Sequence, residues 1–186
     1  MISIKTKSFI LFVLVFSYAN SANAQTFIGK NIKVNIFSST PVEDIKAVSN
    51  MGSAVLIGDK RELAVQVPIK SLEFDKKLMQ EHFNENYMES DKFPLAKFKG
   101  LIDQQLDWKK DGVYPVTAKG ILTVHGVEQS RTISGKITIK DGTVTLNSSF
   151  DVACVAHKIE IPSIVFAKIA EIIKVTIQGS LTPITK

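Results

Sequence analysis

Residues 114–152 read YPVTAKGILTVHGVEQSRTISGKITIKDGTVTLNSSFDV, and the alternation within this stretch decides the fold. Val116, Ala118, Leu122 and Val124 fall on one parity, with Thr117, Lys119 and Thr123 on the other. After His125-Gly126 the pattern resumes, with Ile133, Ile137 and Ile139 set against Thr132, Ser134, Lys136 and Thr138. Beyond Asp141-Gly142, Val144, Leu146, Phe150 and Val152 alternate with Thr145, Asn147, Ser149 and Asp151. Period two marks a strand with one buried face, because successive side chains leave a pleated backbone on opposite sides. Asp-Gly between two such runs signals a type I′ hairpin, whose central residues both need positive φ.

The same reading extends in both directions. Toward the C-terminus, Ile173, Val175, Ile177 and Leu181 oppose Lys174, Thr176, Gln178, Ser180 and Thr182. Upstream, Leu63, Val65, Val67 and Ile69 make one strand, Phe98, Ile102 and Leu106 another, and Ile32, Val34 and Ile36 a third. Weaker strands fall at 42–49 and 53–58. Two segments break the period. From Asp75 to Ser90 the apolar spacing is helical (Leu78, Met79, Phe83, Tyr87), with Asp75 as the N-cap. Pro162 to Ala170 reads as a second short helix with Val165, Phe166 and Ile169 on one side. Eight or nine antiparallel strands with only two helices leave a sandwich or a barrel. Closure removes the exposed edges that invite aggregation. The expectation is therefore an all-β fold, a closed antiparallel barrel of about eight strands with one or two short helices at a barrel end.

The chain has 186 residues, a formal charge of +5, 45% hydrophobic and 22% charged residues, which is globular composition. Residues 1–24 read as a cleaved signal peptide: Lys5 and Lys7 precede an apolar run from Phe9 to Tyr18, and Ala22-Asn23-Ala24 fits the small-x-small cleavage rule. A single domain over 25–186, periplasmic or secreted, follows. That portion keeps 21 basic and 18 acidic side chains without a basic block, which gives no support to nucleic-acid binding. It has no run long enough for a transmembrane helix. With one cysteine, Cys154, no intramolecular disulfide can form.

Two segments carry a family resemblance. Leu78-Met79-Gln80-Glu81-His82-Phe83 continues through Tyr87-Met88 and Phe93-Pro94 to Phe98, and Gly120-Ile121-Leu122-Thr123-Val124-His125-Gly126-Val127 is similar to a G-x-L-T-x-x-G-V strand and turn. Together they resemble the YceI-like family, over about 27–182 of the chain. The resemblance implies a lipocalin-like barrel, and it implies a tunnel for an isoprenoid chain or another long apolar amphiphile. Gln129 stands where that family usually has Lys, and Arg131 where it usually has an aliphatic residue.

The residues themselves argue against catalysis. There is no G-x-S-x-G, Cys154 shares the apolar parity of Phe150 and Val152, and no pair of carboxylates suggests acid–base work. His82, His125 and His157 lack ligand spacing and read as surface or helix-face residues, so no metal and no cofactor is expected. The apolar parity supplies the candidate lining: Val65, Val67, Phe98, Ile102, Leu106, Val116, Leu122, Ile133, Ile137, Leu146, Phe150 and Val152. Phe83, Tyr87 and Phe166 would close one end as a lid. Gln129, Arg131 and Ser148 are polar exceptions on the inward parity and become head-group candidates; a bulge near Gly126 would instead put the first two outside. The expected function is binding or carriage of a long apolar amphiphile such as a polyisoprenoid or fatty acid. The rival is a cell-envelope interaction protein whose barrel is filled by its own side chains. A homodimer stays open.

Overall fold

The computed structural model describes residues 25–161 and 169–184. Its strands are β1 (Thr26–Ser39), β2 (Asp44–Ile57), β3 (Glu62–Pro68), the two-residue β4 (Glu73–Phe74), β5 (Leu95–Ile102), β6 (Gly112–Val124), β7 (Val127–Lys140), β8 (Thr143–Ala153) and β9 (Ile172–Pro183). Neighbours pair antiparallel in the order β1-β9-β8-β7-β6-β5-β3-β2, and β1 pairs with β2 to close the ring. Eight staves thus form a closed barrel, and β4 adds a short outer rung on β2 at Ala47 and Val48.

Local chemistry explains the hairpins. Asp141 and Gly142 adopt φ of 48° and 74°, and His125 and Gly126 adopt 50° and 69°. Both two-residue turns therefore carry the paired positive φ of a type I′ turn, whose twist matches that of the flanking strands. One of the sequence expectations needs correction here. The weak strands at 42–49 and 53–58 are one strand, β2, interrupted by a bulge at Asn50-Met51. A second bulge at Asn31, with φ of 59°, moves the buried parity of β1 from Phe27 to Ile32 and Val34. An extra residue in one strand shifts every later side chain to the other face.

Leu106 is also misplaced by the period-two reading. β5 ends at Ile102, where the Gln104 side chain accepts from the Thr117 amide at 2.8 Å and takes over the next rung of the ladder. Leu106 sits in the loop beyond and packs on the core from outside the strand. The first helix, α1 (Lys77–His82), is shorter than expected, begins after Lys76 without a side-chain cap, and runs on as a π turn over Phe83–Tyr87. The expected second helix falls largely on 162–168, outside the described residues, and Phe166 with it.

The two halves of the barrel are filled differently. At the end away from α1, Phe27, Ile32, Leu56, Trp108, Ile139, Val144 and Leu181 are all buried, with Phe27 and Trp108 in tilted ring contact at 5.7 Å. This end is solid. The end toward α1 is hollow.

Candidate functional site

The hollow half is a cavity of about 250 Å³ with an almost wholly apolar wall. Its floor includes Ile102 and Ile137, exposed by 0% and 1%, which separate it from the packed half. Eleven of the twelve expected lining residues bound it: Val65, Val67, Phe98, Ile102, Val116, Leu122, Ile133, Ile137, Leu146, Phe150 and Val152. Leu106 does not. Ile173, Val175 and Ile177 on β9 and Val34 and Ile36 on β1 complete the wall. Their inward parity was legible, but nothing in their chemistry distinguishes a residue beside a void from one in a solid core. From Leu146 to Val152 the wall covers about 20 Å of strand at roughly 3.3 Å per residue.

The lid lies over this half. Met79, Phe83 and Tyr87 line the cavity, and none of them is fully buried, so they stand between its interior and water. The segment is tied down at each end. The Phe74 and Phe83 rings are 4.8 Å apart, and Lys76 bridges to Glu43 at 2.6 Å. On the far side Met88 is buried and Glu89 reaches His125 Nε2 at 2.9 Å.

That contact belongs to a polar cluster the sequence did not foretell. His125 was expected to face solvent and His157 to lie on the surface; both expectations are overturned. The His125 side chain is 11% exposed, with Nδ1 3.2 Å from the His157 carbonyl and the ring edge-on to Phe93 at 4.7 Å. His157 is fully buried because the 3-10 turn Cys154–His157 folds back against the β6–β7 hairpin. Its Nδ1 donates to the Val127 carbonyl at 3.1 Å, while Nε2 is buried with no hydrogen-bond partner among the described residues. Burial pushes the His157 pKa below the ordinary imidazole value. His82 is exposed on α1, as expected. Among the described residues no group of His, Cys, Asp and Glu could hold a metal ion.

The three polar exceptions share one structural task. β7 and β8 pair only between Gly135↔Ser148 and Lys140↔Thr143, so the α1 half of β7 has no main-chain rungs to β8. Ser148 Oγ donates to the Ser134 carbonyl at 2.7 Å, Arg131 Nη2 to the Asp151 carbonyl, and Gln129 Nε2 to the Ala156 carbonyl at 2.8 Å. Side chains thus span a seam that the backbone leaves open, satisfying carbonyls that would otherwise lack donors. The β6–β7 register runs unbroken from Val124↔Val127 to Gly112↔Ile139, so Gln129 and Arg131 keep the inward parity with no bulge. Ser148 lines the cavity; Gln129 and Arg131, half-buried beside the seam, do not. Cys154 also lines it, and burial pushes its thiol pKa up. It has the inert setting expected of it.

Comparison with known proteins agrees with this architecture. A model of the YceI-like domain family matches residues 16–181. Among solved structures, a polyisoprenoid-binding domain from Saccharophagus degradans implicated in plant cell wall breakdown superposes with a TM-score of 0.69 at 12% identity, covering 87% of this chain and 99% of that one. BcnA from Burkholderia cenocepacia gives 0.63 at 11% identity over 80% and 95%. A YceI protein from Campylobacter jejuni gives 0.53 at 14% identity over 100% and 94%. No curated protein matches the sequence.

Proposed function

This chain belongs to the YceI-like domain family, and from that premise we propose that it binds and carries a long apolar amphiphile, such as a polyisoprenoid or fatty acyl lipid, in the hollow half of its barrel. The observation that carries this reading is the cavity itself. A closed barrel with a solid end and an apolar void of about 250 Å³ beside it leaves side-chain surface without packing partners. Natural interiors avoid such voids, because each forfeits dispersion contacts and favourable burial. A hydrocarbon tail restores both, at roughly 0.8 kcal/mol per buried methylene, without needing a polar contact. Sites of this kind are concave, mostly apolar, and carry their few polar groups at one end.

Binding without chemistry suits the same geometry. Cys154 is buried with no hydrogen-bonded base among the described residues, and the polar residues at the seam are engaged with backbone carbonyls. The amino-terminal signal pattern supports action outside the cytoplasm, where a shielded tail could cross an aqueous space. Titration of lipid-free protein with saturated alcohols of increasing length tests the reading. Affinity should climb with each methylene and level off when the cavity is full. Affinity independent of length would favour a barrel that serves a protein partner.

A further inference from the structure

We infer that the polar end of the ligand is uncharged and is held at the lid by the Tyr87 hydroxyl. This rests on the binding function proposed above and deepens it by naming the class of head group. The inward polar side chains on the cavity wall are few. Ser148 Oγ donates its hydrogen bond to the Ser134 carbonyl, and Ser38 Oγ accepts from the Ala170 amide at 2.8 Å. Lys97 and Lys136 touch the cavity from the outward parity, where both are exposed to water. Arg131 does not line the cavity, and its guanidinium is engaged with the Asp151 carbonyl. Nothing cationic among the described residues therefore faces the void.

Tyr87 differs from these in that neither the proton nor the lone pairs of its hydroxyl are engaged by a described residue. It lines the cavity from the lid, it is only part-exposed, and its hydroxyl has no hydrogen-bond partner among the described residues. Partial burial has raised the phenol's pKa, so it stays a neutral donor and acceptor. A hydroxyl at the cavity mouth that no protein group engages is free to donate to, or accept from, a ligand oxygen in place of water. An alcohol, carbonyl, ester or amide at the end of a tail meets that requirement. A phosphate or carboxylate drawn to the same place would lose its hydration with no counter-charge to replace it.

The test uses the full protein freed of lipid and three probes sharing a C20 prenyl-type tail: geranylgeraniol, geranylgeranyl diphosphate and the saturated hydrocarbon phytane. The inference expects the alcohol to bind at least tenfold more tightly than the diphosphate. Tyr87→Phe keeps the ring and should weaken the alcohol by about two- to tenfold, the range of one neutral hydrogen bond, while leaving phytane unchanged. Equal or tighter binding of the diphosphate overturns the neutral head group. An equal loss for alcohol and phytane in Tyr87→Phe shows that only the ring matters and overturns the hydroxyl contact. Failure of all three probes to bind the parent protein would instead remove the binding function on which the inference rests.

Discussion

Replacing Val116 by Trp separates a hollow barrel from a solid one. Val116 lies on β6 opposite Gly135, with its side chain on the cavity wall. Trp adds about seven heavy atoms, and in this position they enter the void rather than a packed interior. If they displace a tail of similar length, about seven methylenes lose burial at ~0.8 kcal/mol each, or roughly 5 kcal/mol in all. At 1.4 kcal/mol per tenfold, affinity should fall by more than a thousandfold. Stability of the empty protein should change little, because the ring gains contacts where none existed. Val144→Trp is the control, since Val144 is 0% exposed in the solid half. Overpacking there should cost about 1–3 kcal/mol or more, which lowers Tm by several degrees in a domain of this size. Thermal unfolding and binding isotherms on both variants give the comparison. If Val116→Trp destabilises as much as Val144→Trp and leaves affinity unchanged, the cavity does not hold the ligand.

Three further outcomes follow from the same geometry. Cys154 should react with a thiol reagent far more slowly in the native state than after unfolding, because burial both shields the sulfur and raises its pKa; labelling at the rate of a free thiol would contradict this. His157 is held neutral with a pKa lowered by burial, so the unfolded chain binds its proton more readily than the folded one. Its contribution is fully present above the unfolded value of about 6.5 and is lost as pH falls below it. His157→Gln should therefore flatten the drop in Tm between pH 7.5 and pH 5, and an unchanged slope would refute the assignment. Arg131→Ala removes a charge-assisted bond across the β7–β8 seam and should cost about 1 kcal/mol at a part-exposed site. Amide exchange should quicken in 127–134 and 149–153 before anywhere else in the barrel; uniform quickening would mean the seam is not a local weak point.

The staves around residues 114–152 were legible because each has one wet and one dry face, and that contrast is what alternation records. β1 and β2 were harder, since the bulges at Asn31 and Asn50-Met51 reverse the parity midway and make one strand look like fragments. The division into solid and hollow halves could not be read at all. Ile139 and Val144 fill the packed end while Ile137 and Leu146 face the void, and the same residue types serve both. What differs is the spacing of opposite walls, a property of closure rather than of any one strand. Polar residues on the apolar parity were a real signal, and at Gln129, Arg131 and Ser148 they mark where β7 parts from β8. His157 was invisible for a different reason. Its burial depends on the turn at Cys154–His157 folding back onto a hairpin some 30 residues away, a tertiary contact without local pattern.

The central claim is that the hollow half holds a hydrocarbon tail. Native mass spectrometry of the protein purified without detergent, followed by organic extraction and identification of what is released, tests it most directly. One lipid per chain is expected from the parent protein, with a long apolar tail and an uncharged head, and none from Val116→Trp. A parent protein that is folded and carries no lipid, and takes up none when offered it, would contradict the account.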